Sequence, residues 1–387
     1  MPAVGAPYAA LLSSLKVGDL TLKNRIIMSA MTRARSINNV PNDMNRAYYE
    51  QRAGAGLIIT EGVPIDKRGS AWTDVPGIYT EEMAEGWKRV TDGVHAKGGL
   101  IFAQLWHMGR QAHSSFFDGK LPVGPSPLKI ESPKGVPNAD GEFVPYEVPH
   151  ALTVDEIQEI VQQYKQAALL AKAAGFDGIE MHAANGYLVD QFLQSCSNQR
   201  TDEYGGSIEN RYRFLDQLMD VALEAFPKER VGVRISPNTN FGGSGSPDFR
   251  ETFTYVAEQV GKREVAYLQV LDGLAFGFHE LGEPMTLDEF RPLVSEKTKI
   301  FGNVGYTPES GEEAITSGVA DAITYGRYFL SNPDFPERLA NNWPLNEPPE
   351  HAAWFTPDLP NREKYSTSWG YTEYLPYPEE AKQAASA

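Results

Sequence analysis

Val231-Gly-Val-Arg-Ile235 is a short run of small and apolar residues interrupted by one arginine, and Gly56-Leu-Ile-Ile-Thr60 has the same character without the charge. Near-continuous apolarity over four to six residues suits a strand covered on both faces, the environment of a parallel sheet flanked by helices. Working outward, comparable runs recur at 25–30, 57–60, 100–105, 178–182, 265–270, 299–303 and 321–325. Amphipathic stretches separate most of them. Thr153-Val-Asp-Glu156 has the form of a capping box, in which hydroxyl and carboxylate each satisfy a free N–H. Behind it Ile157, Ile160, Val161, Tyr164 and Ala168 repeat at helical spacing. Thr307-Pro308 places a capping hydroxyl before a proline at the first helical position. Ser207 likewise precedes Ile208, Tyr212, Leu215, Leu218 and Ala222.

Strands alternating with helices imply a parallel sheet, and eight of them can close into a barrel with a packed interior. No GxGxxG turn follows the first strand, which weighs against an open doubly wound sheet. The expected fold class is therefore α/β, a (β/α)8 TIM barrel forming a single domain over residues 1–387. Three segments depart from the simple repeat. Residues 107–150 are rich in proline and glycine and read as an excursion between the third strand and its helix. Residues 237–248 read as a mobile loop after the fifth strand. The tail from residue 341 is rich in proline and aromatics and is expected to wrap the barrel.

With 35 basic against 51 acidic residues the formal charge is −16, so a nucleic-acid backbone would be repelled. The single cysteine, Cys196, excludes an internal disulfide and suits a reducing compartment. The start of the chain lacks a basic region before its apolar stretch, and no apolar run reaches the length of a membrane span. A cytoplasmic protein is the expectation. No HxxxH or HExxH spacing points to zinc, no GxSxG occurs, and nothing around Cys196 marks it as a nucleophile.

In a barrel of this kind the working residues sit at the C-terminal strand ends and in the loops that follow. Those ends are Ala30-Met31-Thr32, Thr60-Glu61-Gly62, Gln104-Leu105-Trp106-His107, His182-Ala-Ala-Asn185-Gly-Tyr187, Arg234, Gly302-Asn303-Val304-Gly305 and Gly326-Arg327. Glycines after strands seven and eight allow main-chain N–H groups to approach a phosphate, and Arg327 adds a forked cation. The alternative is that these glycines serve tight turns and Arg327 pairs with a surface carboxylate. Arg234, on an apolar strand, needs a partner; an interior acid such as Glu180 or Glu61 and an anionic ligand fit equally. His182 and Asn185, three apart, would project from one side if the turn is helical. Two such donors can grip a carbonyl or a developing oxyanion. Tyr187, a phenol with an ordinary pKa of about 10, stays protonated at neutral pH and can donate a proton. Taken singly, His182 and Tyr187 read more readily as interior packing residues.

From His182-Ala-Ala-Asn-Gly-Tyr-Leu-Val-Asp-Gln-Phe-Leu193 through Asn198-Gln-Arg-Thr-Asp-Glu-Tyr-Gly-Gly-Ser-Ile-Glu-Asn-Arg211, the chain resembles the Old Yellow Enzyme family. Matching segments extend along nearly the whole sequence: Leu22–Arg25, Met31–Arg33, Thr60–Gly62, Ala103–Arg110, Val233–Ser236 and Tyr325–Asp334. The resemblance implies a (β/α)8 barrel with bound flavin mononucleotide (FMN), reduced by NADPH or NADH. It implies that Thr32 bonds near the flavin C4 carbonyl, Gln104 meets the pyrimidine edge, and Arg234 lies beside N1. Ala30 and Gly62 would give main-chain contacts, and Gly302, Asn303, Gly326 and Arg327 would hold the phosphate. His182 and Asn185 would bind the carbonyl of an α,β-unsaturated substrate and Tyr187 would protonate its α-carbon. Trp106 and Tyr365 would line the substrate pocket. Met28-Ser-Ala-Met-Thr32 departs from the family's usual proline-leucine before the threonine. The function implied is NAD(P)H-dependent reduction of activated C=C bonds, with small alkenes as partners, no nucleic acid, no membrane, and a monomer or homodimer. A flavin-free aldolase or isomerase, or a flavin-storage protein, are the competing readings. The rim positions carry no lysine for a Schiff base, which weighs against the aldolase.

Overall fold

The computed structural model describes residues 7–274, 277–354 and 368–378. Barrel strands are β1 (Ile26–Met28), β2 (Leu57–Pro64), β3 (Ile101–Trp106), β4 (Gly178–Ala183), β5 (Val231–Ile235), β6 (Tyr267–Leu271), β7 (Lys299–Asn303) and β8 (Ala322–Tyr325). Each pairs in parallel with the next, and β8 pairs with β1, closing the barrel. All eight expected strands are present. β2 differs most, running four residues past Thr60 through a register irregularity between Ile59 and Gly62. Such a bulge re-aims the residues that follow it, and Glu61 and Gly62 belong to the strand rather than to a loop.

The helices begin where their caps are. Thr153 accepts from Glu156 N–H at 3.3 Å while the Glu156 carboxylate accepts from Thr153 N–H at 2.7 Å, opening a helix over Val154–Ala173. Ser207 caps Ile208–Ala225, and Thr307 caps Pro308–Thr316. Their apolar stripes pack against the sheet in one large cluster that includes Ile157, Tyr164, Leu215, Leu218 and Ile323. An N-terminal hairpin, Leu15–Val17 with Leu20–Leu22, joins a second cluster with the interior side chains Ile59, Phe102, Tyr267 and Phe301. That plug leaves the opposite end, where the strands terminate, for the site.

The excursion 107–150 holds 3-10 turns at Gly109–Gln111 and Ser114–Phe116, a parallel pair of Val123–Gly124 with His150–Ala151, and a small hairpin of Val136–Pro137 with Phe143–Val144. The tail does return to the barrel: Tyr371 stacks on Tyr48 at 4.1 Å, and Arg33 donates to the carbonyls of Ala353, Trp354 and Gly370. Tyr365 lies outside the described residues. Among the described residues no helix is long and apolar enough to cross a membrane.

Candidate active site

Six adjacent strands, β3 to β8, carry a buried polar chain across the barrel. Register places Gln104 beside Glu180, His182 beside Arg234, and Arg234 beside Gln269. Gln104 Nε2 donates to Glu180 Oε1 at 2.7 Å. The Gln269 amide donates to Glu180 Oε2 at 3.1 Å and accepts from Arg234 Nε at 3.0 Å. Arg234 Nη2 donates to Asn303 Oδ1 at 3.0 Å, and Asn303 Nδ2 donates to the Thr324 carbonyl at 3.0 Å. The two readings of Arg234 thus coexist: it is linked to Glu180 through Gln269, and its Nη1 has no protein partner among the described residues. Glu61 serves elsewhere, accepting from the N–H groups of Arg33 and Ala34 at 2.9 Å each. Burial raises the Glu180 pKa and lowers that of Arg234, and each partner's charge opposes the other's shift.

Above this chain the rings converge. Tyr187 stands edge-on to Trp106 at 5.1 Å and to His182 at 5.0 Å. Trp106 in turn lies flat against Gly62, where a Cβ would come within 2.8 Å of the indole carbon Cε3. Only a residue without a side chain leaves room for that approach. Burial, and secondarily the charge of Arg234, holds the His182 pKa well below its ordinary value. A neutral imidazole carries one N–H donor. Burial chiefly pushes the Tyr187 phenol above its ordinary value, with Arg234 partly offsetting. Among the described residues, His182 Nδ1 and Asn185 Oδ1 are buried without a hydrogen-bond partner. Buried polar atoms are ordinarily partnered, so each of these two calls for a water or a ligand group.

The condition under which His182 and Asn185 would share a helix face is not met. The turn between His182 and Asn185 is not helical: β4 ends at Ala183, and Asn185 and Gly186 take the left-handed conformation, φ 58° and 67°. A helix resumes only at Leu188, with Tyr187 at its N-cap. Asn185 therefore joins His182 through a tight reversal rather than along a helix face.

At the other side of the mouth Gly326 abuts Met31, and the Ser29 N–H donates to the Tyr325 carbonyl at 3.0 Å, which brings the β1 and β8 ends together. Thr32 is half-exposed there, and Ala30 is buried. After β7, Val304 sits at φ 77° and Gly305 at φ 86°. A β-branched residue at positive φ is strained, by about 1–3 kcal/mol, a feature that clusters at ligand clamps. Gly302 is buried in β7. Arg327 is exposed and lies over the Trp354 ring at 5.0 Å. Sequence reasoning missed Gln269, although a glutamine inside Tyr267-Leu-Gln-Val-Leu271 is the same signal that singled out Arg234.

Asp190, buried beneath the Asn185 turn, is pushed up to about 7 by burial, against the hydrogen bonds it receives from Gly186 N–H, Gln194 and Ser244 and the charge of Arg110. An unfolded aspartate titrates near 3.9, so the folded state holds the extra proton between about pH 4 and 7. The stability this contributes is complete below about pH 4 and is lost as pH rises through 7. Asp190→Asn removes the titration. Its unfolding free energy relative to the native chain therefore rises between pH 4 and 8, by at most ~4 kcal/mol. Denaturant titrations of both proteins across that range check this, and a constant difference would show that Asp190 ionises normally.

The family model described as the NADH:flavin oxidoreductase / NADH oxidase family matches residues 10–346. A probable flavin mononucleotide-dependent alkene reductase of Leishmania infantum is 40% identical, over 92% of this chain and 97% of that protein. The 12-oxophytodienoate reductase 7 of Oryza sativa subsp. japonica is 38% identical over 95% of this chain and 94% of its own length. Among solved structures, morphinone reductase superposes with a TM-score of 0.88 at 37% identity, covering 96% of this chain and 97% of that one. An old yellow enzyme homologue from Zymomonas mobilis superposes at 0.87 with 38% identity, over 95% and 100%. The chain belongs to the NADH:flavin oxidoreductase / NADH oxidase family and is an FMN-dependent oxidoreductase of the Old Yellow Enzyme type.

Proposed function

We propose that this NAD(P)H-dependent alkene reductase binds the carbonyl oxygen of an α,β-unsaturated substrate through His182 and Asn185 and protonates the α-carbon from Tyr187. The observation that carries this reading is the buried, unpartnered Nδ1 of His182 next to a phenol wedged between His182 and Trp106, with the Asn185 side-chain amide, which makes no protein hydrogen bond through its oxygen among the described residues, on the adjoining reversal. A neutral His182 donates without adding charge, and each donor aimed at developing oxyanion charge is typically worth roughly 3 kcal/mol. Tyr187 remains protonated until it meets the α-carbon of an enolate, which is a far stronger base than a phenolate.

The residues present fit FMN. Arg234 Nη1 supplies an unpartnered cationic donor, Gln104 ends the same polar chain beyond Gln269 and Glu180, and Thr32, Ala30 and Gly62 edge the same mouth. Gly302, Gly326, Arg327 and the strained turn after Asn303 form the phosphate end. The Asn303 side chain is committed to Arg234 and Thr324, so it contributes by orienting the guanidinium. Trp106 walls the substrate side. Bound FMN supplies the hydride that NADPH or NADH has delivered to it.

The single cysteine supports a cytoplasmic enzyme and the acidic balance supports small-molecule rather than nucleic-acid partners; the chain is read as one barrel domain over residues 1–387, working as a monomer or homodimer. The purified chain should be yellow, should bleach on anaerobic addition of NADPH or NADH, and should recover colour with a cyclic enone. A chain that stays colourless after reconstitution with FMN would overturn the proposal.

A further inference from the structure

The reversal that carries Asn185 has four polar main-chain groups in residues 185 and 186, and each is met by a different side chain. Asn185 N–H donates to Ser236 Oγ at 2.7 Å, and its carbonyl accepts from Gln111 Nε2 at 2.6 Å. Gly186 N–H donates to Asp190 Oδ2 at 2.8 Å, and its carbonyl accepts from Gln191 Nε2 at 2.7 Å. Gln191 is itself held, donating to the Met108 carbonyl at 3.0 Å and accepting from Arg110 N–H at 3.2 Å. These side chains come from the end of β5, from the excursion after β3, and from the helix Leu188–Leu193. A Cβ on Gly186 would lie 2.7 Å from the Phe241 carbonyl and 3.1 Å from Gln111 Nε2, and one on Gly242 would collide with the same glutamine. The glycines leave room for the side chains.

Buried main-chain groups must be paired somewhere, yet none of these four pairs with another main-chain group among the described residues. Asparagine followed by glycine permits two consecutive left-handed residues, and the four side chains hold that reversal against the other conformations the same dipeptide can reach. We propose that Ser236, Gln111, Asp190 and Gln191 are positioning residues that fix the left-handed turn at Asn185 and so set its amide against the His182 imidazole. This rests on the reading of Asn185 as a carbonyl-binding group. It also gives the excursion a task, because its first turn delivers Gln111 to the catalytic reversal. A misplaced Asn185 amide loses a hydrogen bond to the substrate, which corresponds to about tenfold in affinity.

The test uses the full FMN-loaded chain with Ser236→Ala, which removes the hydroxyl, and Gln111→Met, which keeps the length without the donor. Each should raise the calorimetric Kd for phenol and the KM for a cyclic enone about tenfold, with kcat changed less and the melting temperature little moved. Added to Asn185→Ala, neither should weaken phenol binding further, because both act through Asn185. Amide hydrogen exchange at residues 185 and 186 should quicken about tenfold in Ser236→Ala. Unchanged exchange and unchanged phenol affinity in both variants, or effects that add fully to Asn185→Ala, overturn the proposal. If Asn185→Ala itself leaves phenol binding intact, the carbonyl reading fails, and faster exchange in Ser236→Ala still distinguishes a working clamp from an idle one. The two variants are independent, so misfolding of one leaves the other to decide.

Discussion

Tyr187→Phe should slow alkene reduction about 10²- to 10⁴-fold, the usual range for a positioned proton donor, while NAD(P)H oxidation by the loaded enzyme in the first half of the cycle changes little. The substitution removes one oxygen and keeps the ring. Contacts with Trp106 at 5.1 Å and His182 at 5.0 Å are made by the ring faces and edges, so the pocket wall survives. Substrate affinity should survive with it, because the proposed carbonyl grip lies with His182 and Asn185 rather than with the phenol. The phenol hydroxyl has no protein partner among the described residues, so its removal leaves no buried group orphaned. Anaerobic stopped-flow of the two half-reactions separates the effects. An acceptor that takes electrons without a proton on carbon, such as ferricyanide, should be reduced at the native rate. Equal alkene rates in mutant and native enzyme would remove Tyr187 from the mechanism.

The fold was legible because its signals are local. Strands buried on both faces leave apolar runs such as Val231–Ile235, and the helices announce themselves through Thr153, Ser207 and Thr307, whose caps all form. Strand ends were less legible. The bulge that carries β2 past Thr60 depends on how Gly62 meets Trp106, some forty residues later, and no periodicity within 57–64 encodes that meeting.

The site divides the same way. Arg234 stood out because a charge on an apolar strand must be compensated somewhere, and the same argument applied to Gln269 would have found the bridge to Glu180. The polar clamp under Asn185 left a fainter trace: Gln111 sits in ordinary polar surroundings in the sequence, Asp190 and Gln191 interrupt the apolar run Leu188–Leu193, and the purpose of all three appears only when the excursion folds back over β4. The shape of the His182–Asn185 turn, left open in the sequence reading, was in fact legible. Asparagine tolerates the left-handed region, and the following glycine prefers it, so the pair signals a reversal.

Arg234→Met should have two separable consequences, each large. The side chain is 4% exposed, and its Nε and Nη2 donate to Gln269 and Asn303. Methionine has comparable reach and no charge, so the substitution leaves Glu180 without its counter-ion and two amide oxygens without donors. Breaking a buried pair in this manner typically costs about 3–5 kcal/mol of stability. Independently, the cationic donor at Nη1 is gone. A hydrogen bond from a charged group contributes about 1.5–3 kcal/mol, so FMN affinity should drop about 10- to 150-fold. Glu180→Gln in the same chain discriminates between the two. With a neutral amide at 180, Gln104 and Gln269 still have a partner and no buried charge is left over, so most of the lost stability should return. FMN affinity should not, because nothing replaces the cation at the mouth. Denaturant unfolding of the apoproteins reads the first effect, and equilibrium titration of FMN reads the second. Were affinity to recover together with stability in the double variant, Arg234 would be only the ionic partner of Glu180, and the cofactor would have to find its counter-charge elsewhere.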